Sequence, residues 1–229
     1  MSLAMVRKIE IKGLIFDLDG VIADTAHLHY KAWCKIGDQL GFNLSKAQNE
    51  KLKGVSRKDS ILKIANWAGK SFTEAELDSL ALEKNENYLS YCQTLGTKDI
   101  LPGVYDFINA SVNKGLKLAV GSASKNAKLI LQKLGIINLF SIVVDGNVVE
   151  NSKPDPEVFL KSAEILELEP KNCIVFEDSQ AGIQAAIKAG MFSVGVGLEN
   201  LRSCDHKIEN FEGLDPEQLL TQLSNIIYQ

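Results

Sequence analysis

The sequence predicts an α/β fold, a parallel sheet with helices on both faces and a helical insertion after the first strand. Two observations support this. From Leu101 onward, short apolar runs alternate with stretches of helical periodicity, as in parallel sheets that are covered on both faces. Between residues 24 and 95 the periodicity is helical throughout. We therefore expect a discontinuous core domain of residues 1–23 and 96–229, and a helical cap domain of residues 24–95.

Five strands and four connecting helices are expected in the core. The first strand is the apolar run 9–16, which ends at two acids and a glycine. The other strands are predicted at 116–120, 140–144, 173–176 and 192–196. The connecting helices are predicted at 104–112, 125–134, 157–166 and 181–189.

The cap begins with an amphipathic helix. Its apolar residues recur at every fourth position and the run ends at Gly41, as expected at a helix C-terminus. The apolar positions are Leu28, Ala32, Ile36 and Leu40. Asp24 or Thr25 is expected to cap the N-terminus of this helix.

A second apolar stripe in the cap contains one lysine. The stripe consists of Leu77, Leu80, Lys84, Tyr88, Tyr91 and Leu95. A lysine in such a stripe usually lays its stem along the surface and keeps its ammonium in water. The sequence slightly favours this arrangement for Lys84 over a cation aimed into a cleft.

The overall composition excludes several classes of function. Of the 229 residues, 45% are hydrophobic and 24% are charged, with a formal net charge of −4. This balance argues against an extended basic surface for nucleic acid or an anionic membrane. The four cysteines are widely spaced and form neither a zinc pattern nor a convincing disulfide framework. We expect a monomeric cytoplasmic protein with reduced, buried thiols that binds neither nucleic acid nor membranes.

Two acids follow directly after the first predicted strand. Side chains alternate along a strand, so Asp17 and Asp19 point to one side, and Phe16 and Leu18 to the other. Burying an unpaired carboxylate is unfavourable. The dipeptide Asp19-Gly20 could be a simple turn. Two acids on one face favour a functional site.

Polar residues also follow the next three strands. The second strand runs into Ser122 and Ser124, the third is followed by Lys153, and the fourth ends at Glu177 and Asp178. In open parallel sheets, ligands bind outside the carboxyl ends of the strands. Carboxylates that gather there raise each other's pKa unless a cation lies among them. An all-oxygen cluster indicates Mg²⁺.

The same residues have structural explanations when each is taken alone. Ser122 or Ser124 could cap the following helix, which Ser124 is expected to begin. Lys153 could belong to an ordinary loop, and Glu177 and Asp178 to a helix cap. All of them at one edge of one sheet favours a joint site. There Asp17 could attack a phosphoryl group, and Mg²⁺ and Lys153 would offset the charge on the transferring oxygens. Asp19 would then be the general acid and base, with a raised pKa.

Taken in order, these residues resemble the four signature motifs of the haloacid dehalogenase superfamily of phosphotransferases. The matching motifs are Asp17-Leu18-Asp19-Gly20, Ser122, Lys153 and Glu177-Asp178. The resemblance implies a Rossmann-like core with a mobile helical cap, Mg²⁺ and an aspartyl-phosphate intermediate. It also implies that the metal is held by Asp17, the backbone carbonyl of Asp19, and Asp178, with Glu177 nearby.

The cap is similar to that of the phosphomutases in this superfamily. The similarity lies in Thr25, His29 and Trp33, in residues 53–57 and in Lys84-Asn85, and it extends to the core loops. It implies that Arg57 holds the phosphate that is not transferred and that His29 pairs with Asp19. It implies that substrate is bound by Thr25, Trp33, Lys53, Gly54, Val55, Ser56, Arg57, Lys84, Ser122, Ala123, Ser124, Lys125 and Asn126. Without the resemblance, His29 would be assigned to a helix surface, and Arg57 equally to a solvated surface or to a site.

The resulting expectation is a Mg²⁺-dependent enzyme acting on small-molecule sugar phosphates. It would interconvert β-D-glucose 1-phosphate and glucose 6-phosphate through an aspartyl-phosphate enzyme and β-glucose 1,6-bisphosphate. The alternative on the same core is a Mg²⁺-dependent phosphatase of small sugar phosphates. The insertion and Asp19 argue against a signalling receiver. A dinucleotide-binding module is disfavoured because no G-x-G-x-x-G follows the first strand.

Overall fold

A computed structural model describes residues 10–197 and 201–227 and confirms the α/β architecture. The described part contains one six-stranded sheet in the order β3-β2-β1-β4-β5-β6, and all neighbouring strands are parallel. The strands are β1 Gly13–Phe16, β2 Lys117–Gly121, β3 Ile142–Val144, β4 Cys173–Glu177, β5 Phe192–Val196 and β6 His206–Ile208.

The predicted strands all occur, but the structure adds a sixth strand and several boundaries differ: β2 and β4 end one residue later than predicted, and β3 begins at Ile142 instead of residue 140. The first strand begins at Gly13, later than predicted, and Ile9 lies outside the described residues. The sixth strand, β6, was not predicted. It has only three residues, none of them fully buried, so it carries no apolar run.

Helices cover both faces of the sheet. They are α5 Val104–Asn113, α6 Ala127–Lys133, α7 Glu157–Ile165, α8 Gln180–Lys188 and α9 Pro216–Ile227. Residues of α5, α6 and α9 pack with Phe16 and Leu18 in one buried cluster, and residues of α7 and α8 pack with Ile15 in another. This division confirms the predicted alternation and puts Asp17 on the side of Ile15.

Four α-helices lie between β1 and α5. They are α1 Ala26–Gln39, α2 Lys46–Glu50, α3 Arg57–Trp67 and α4 Glu74–Tyr91. Together they enclose a separate apolar cluster that includes Trp33, Ile36 and Ile61. The fourfold apolar positions of α1 are all buried, as predicted. Among the described residues, no helix is long and apolar enough to cross a membrane.

Two helix starts differ from the sequence prediction. Thr25 occupies the N-cap of α1, but its side chain makes no capping hydrogen bond there. Ser124 does not begin α6, which starts at Ala127 after the N-cap residue Asn126. Thr25 instead donates a hydrogen bond to Asp19, and Ser124 lies in the loop between β2 and α6, where its hydroxyl oxygen accepts from the N–H of Asn126.

Candidate active site

A cavity of about 480 Å³ lies between the four N-terminal helices and the carboxyl ends of the strands. Both parts of the chain contribute to its wall. The predicted site residues that line it are Asp17, Asp19, His29, Trp33, Lys53, Gly54, Val55, Ser56, Arg57, Lys84, Ser122, Ala123, Ser124, Lys125 and Asp178. The strand ends and the helical insertion therefore meet at one place.

Four predicted residues lie outside the cavity wall and contact other site residues. Lys153 and Glu177 form a hydrogen-bonded ion pair with each other. Thr25 donates to Asp19, and Asn126 donates to a cap residue, as described below.

Lys153 is the centre of a buried ionic cluster beneath the cavity. Its ammonium donates to Asp17 Oδ1 at 2.6 Å, to the carbonyl oxygen of Gly121 at 3.1 Å, and to Glu177 Oε1. These three acceptors match the three hydrogens of an ammonium group. The other carboxylate oxygen of Glu177 accepts from the backbone N–H and the hydroxyl of Ser179, both at 2.8 Å. Both oxygens of Glu177 are thus used by protein donors.

Burial and like charge disfavour ionisation of two carboxyl groups here. Burial raises the pKa of Asp17 well above its usual range, against the opposing effect of Lys153, and Glu177, Asp19 and Asp178 add to the rise. Burial likewise raises the pKa of Asp178 to about 7, although Lys53 opposes the rise. The cluster therefore holds more negative charge than its cations compensate, which suits a further cation.

The residues fit a divalent cation held by two carboxylates and a main-chain oxygen. A Cβ at Gly20, where φ is +83°, would collide with Asp178 Oδ2, so glycine lets this carboxylate approach the main chain beside Asp19. The donors are all oxygen, as Mg²⁺ prefers. Among the described residues, no three His, Cys, Asp or Glu side chains could hold a metal ion together. Any metal would therefore need the main-chain oxygen as well.

Two residues at the start of α1, Thr25 and His29, contact the carboxylate of Asp19. Thr25 Oγ1 donates to Asp19 Oδ1 at 2.5 Å, and His29 Nε2 lies 3.5 Å from the same oxygen, at ion-pair distance. Burial alone would raise the pKa of Asp19, but His29, Thr25 and Lys84 outweigh it and lower the pKa to about 2. The prediction of a raised pKa for Asp19 is therefore wrong. The fold places hydrogen-bond donors and positive charge around this carboxylate, and they lower its pKa by more than burial raises it.

Lys84 is buried, so the slightly favoured surface position is also wrong. Only 2% of the residue is exposed. Its ammonium lies 2.8 Å from His29 Nδ1, 4.3 Å from the centre of the Trp33 ring and 4.9 Å from that of Tyr88. Burial, followed by the charge of Arg57, lowers the pKa of Lys84 to about 7.

The contact with Lys84 assigns the proton of the neutral His29 ring when Lys84 is protonated. An ammonium is only a donor, so in that state Nδ1 accepts and the ring proton lies on Nε2, facing Asp19. Burial and the charge of Lys84 lower the pKa of His29, which favours this neutral form. His29 also packs against Tyr88, with ring centroids 4.0 Å apart.

The loop after β2 is organised by Ser122. Its hydroxyl oxygen accepts from the backbone N–H of Ser124 at 3.1 Å, and the residue is 1% exposed. The hydroxyl hydrogen of Ser122 is not used in that bond. At the other wall, Ser56 caps α3: its oxygen accepts from the N–H of Asp59 at 3.2 Å.

Part of the cavity wall was not predicted. It includes Asn49 and Asp78 from the cap and Val149, Glu150 and Asn151 from the loop after β3. Further unpredicted residues are Ala26, Leu52, Lys58, Asp59, Ala81, Gly146 and Ser152. Ser152 had a sequence signal, because it directly precedes Lys153. The others are scattered polar, small and apolar positions of helices and loops, which carry no signal of this kind.

Comparisons with known proteins identify the family. A family model described as haloacid dehalogenase-like hydrolase matches residues 14–196. The chain is 41% identical over 189 residues to the β-phosphoglucomutase of Bacillus subtilis, covering 82% of this chain and 84% of that protein. It is 34% identical over 186 residues to the fructose-1-phosphate phosphatase of Escherichia coli, covering 81% and 96%.

A solved structure extends the similarity to three dimensions. The crystal structure of β-phosphoglucomutase from Clostridium difficile matches with a TM-score of 0.92 and 40% identity, over 96% of this chain and all of that one. The resemblance predicted from the strand-end motifs is thereby confirmed. The chain belongs to the haloacid dehalogenase-like hydrolase family.

Proposed function

We propose that this protein is a phosphomutase that interconverts β-D-glucose 1-phosphate and glucose 6-phosphate through β-glucose 1,6-bisphosphate. The observation that carries the proposal is the cavity itself. The core contributes Asp17, which accepts a hydrogen bond from the buried ammonium of Lys153, and the helical cap contributes Arg57, a second cation suited to a phosphate. A sugar with a phosphate at either end needs both. The two mutases to which the chain is similar support the same activity.

Asp17 is the phosphoryl acceptor. Its carboxylate attacks phosphorus, the bond to the sugar oxygen breaks, and an aspartyl phosphate forms. Lys153 fixes the position of Oδ1 and offsets negative charge next to the transferring group. Ser122 lines the cavity and can donate its hydroxyl hydrogen to a phosphate oxygen.

Mg²⁺ is the proposed cofactor, held by Asp17, Asp178 and the backbone carbonyl of Asp19. When bound, it would neutralise charge on the phosphoryl oxygens. Glu177 would support the site through Lys153, because both of its oxygens are already engaged by protein donors.

Asp19 moves the proton. With a pKa of about 2 it is ionised before the reaction, so it first accepts the proton of the sugar hydroxyl that attacks the aspartyl phosphate. After the bisphosphate has reoriented, Asp17 attacks its other phosphate, and Asp19 returns the proton to the leaving oxygen. The proton balance closes over one cycle. The neutral Nε2–H of His29 faces Asp19 throughout and orients it.

The helical cap, residues 24–95, would exclude water so that the phosphoryl group passes to sugar. Gly54 approaches the core closely: a Cβ there would lie 3.2 Å from Ser179 Oγ and 3.3 Å from Lys153 Cδ. Similarity to a sugar-phosphate phosphatase keeps hydrolysis as the second candidate. We further propose a monomer acting in the cytoplasm. Its four cysteines are free, two buried and two half-buried.

Product partition tests the proposal. Purified enzyme is incubated with Mg²⁺, β-glucose 1-phosphate and a trace of β-glucose 1,6-bisphosphate, and the products are followed by ³¹P NMR. A mutase gives glucose 6-phosphate with little inorganic phosphate. Rapid release of inorganic phosphate with little glucose 6-phosphate would instead assign the protein as a phosphatase.

A further inference from the structure

We propose that Asn85 is a positioning residue that aligns the guanidinium of Arg57 and the amide of Asn126 where the helical cap meets the core. These two groups would bind the phosphate that is not transferred, so the inference rests on the function proposed above. Asn85 belongs to α4, Arg57 begins α3, and Asn126 precedes α6 in the core.

The geometry joins the cap and the core through one oxygen atom. Arg57 Nη2 donates to Asn85 Oδ1 at 2.8 Å, and Asn126 Nδ2 donates to the same oxygen at 2.8 Å. A carboxamide oxygen has two lone pairs, and both are used here. The donors come from segments 28 and 41 residues away in the chain, so this oxygen fixes their relative position across the cleft.

Arg57 keeps most of its binding capacity in this arrangement. A guanidinium has five N–H donors, and the bond to Asn85 uses one. The side chain lines the cavity, and it is within 4.0 Å of no carboxylate in the described residues. Holding a long, flexible side chain in place before the ligand arrives reduces the ordering that binding would otherwise require.

The acceptor has to be neutral for this role. A carboxylate at the same position would bind Arg57 more tightly, but its charge would repel an incoming phosphate. Lys84 lines the same cavity as Arg57, and burial followed by the charge of Arg57 lowers the pKa of Lys84. An amide orders Arg57 without adding a negative charge to this positively charged wall.

The test compares two reactions at Asp17. In the first, β-glucose 1-phosphate accepts the phosphoryl group of the aspartyl phosphate while its own phosphate, which is not transferred, contacts Arg57. Acetyl phosphate can phosphorylate Asp17 but has no group to reach Arg57. Asn85→Ala is expected to raise the KM for β-glucose 1-phosphate about tenfold to a hundredfold, as expected for a lost hydrogen bond to a charged group. The ratio of kcat/KM for β-glucose 1-phosphate to the rate of phosphorylation by acetyl phosphate should fall by a similar factor.

Two further variants separate positioning from folding. Asn87→Ala removes an asparagine from the same helix whose side-chain oxygen accepts from the exposed Lys35, and it should leave that ratio unchanged. Asn85→Asp keeps the acceptor but adds a charge, and its KM should rise at least as much as that of Asn85→Ala. An equal loss of rate with β-glucose 1-phosphate and with acetyl phosphate would show that Asn85 has only a structural role. An unchanged or lowered KM in Asn85→Ala would also overturn the inference.

Failure of the proposed function has a different signature. If acetyl phosphate does not phosphorylate the unaltered protein, the aspartyl-phosphate mechanism itself is wrong. If phosphorylation occurs and Asn85→Ala behaves like the unaltered protein, only the inference about Asn85 is wrong.

Discussion

Lys153 Nζ donates a 2.6 Å hydrogen bond to Asp17 Oδ1, although the two residues are 136 positions apart in the chain. Their side chains are 1% and 10% exposed. A buried cation and a buried acid at this distance stabilise each other only while both are present. The pair therefore affects stability and chemistry together.

Removing the lysine should destabilise the protein strongly. Lys153→Met leaves the buried carboxylates of Asp17 and Glu177 without their cation, which costs about 3–5 kcal/mol for a broken buried pair. Urea unfolding at pH 7 measures the loss. The double variant Lys153→Met/Glu177→Gln should recover part of it, because one of the stranded charges is gone. A single variant as stable as the parent would contradict this account.

Replacing Asp17 by asparagine should separate activity from stability. Asp17→Asn removes the nucleophile, so kcat for sugar-phosphate conversion should fall at least about a thousandfold. Burial raises the pKa of Asp17, so the folded state disfavours its charge, and Lys153 keeps Glu177 as a partner, so the Tm should fall less than in Lys153→Met. Coupled spectrophotometric assay and thermal unfolding check the two effects. Conversion at the parental rate would refute the role of Asp17.

Asp178 should make the metal-free protein less stable as the pH rises. Its pKa is about 7 when folded, against an ordinary value of 3.8, so between these values the unfolded chain has lost the proton that the folded chain keeps. Stability is therefore highest below pH 4 with respect to this group, and it declines until about pH 7. Thermal unfolding in EDTA across this range should show a shallower decline for Asp178→Asn than for the parent. Equal slopes would show that Asp178 does not cause it.

Lys84 should control the titration of His29. Lys84→Met keeps the bulk of the side chain but removes a charge 2.8 Å from Nδ1, and that charge helps to lower the pKa of His29. The pKa of His29 should rise in the variant, as followed by the ring proton signals in ¹H NMR. An unchanged pKa of His29 in Lys84→Met would mean that the charge of Lys84 does not lower it.

The interior of the sheet could be predicted because its signals are local. Each of the four predicted connecting helices and five predicted strands is present, since apolar periodicity depends on neighbours in sequence. The sequence also predicted that Asp17, Ser122 and Asp178 lie close together, because parallel strands end at the same edge of the sheet. The short strand β6 has no such periodicity and was missed.

The sequence by itself determined the parallel α/β core, the acids at the end of its first strand and the family to which its motifs belong. Only the tertiary structure decided that Lys84 is buried against His29, that Thr25 bonds Asp19 instead of capping a helix, and that Asp19 is a stronger acid than expected. It also brought Asn85 between Arg57 and Asn126. The reason is physical: periodicity is set by residues within a few positions, whereas burial and hydrogen-bond partners depend on groups that folding brings together from distant parts of the chain.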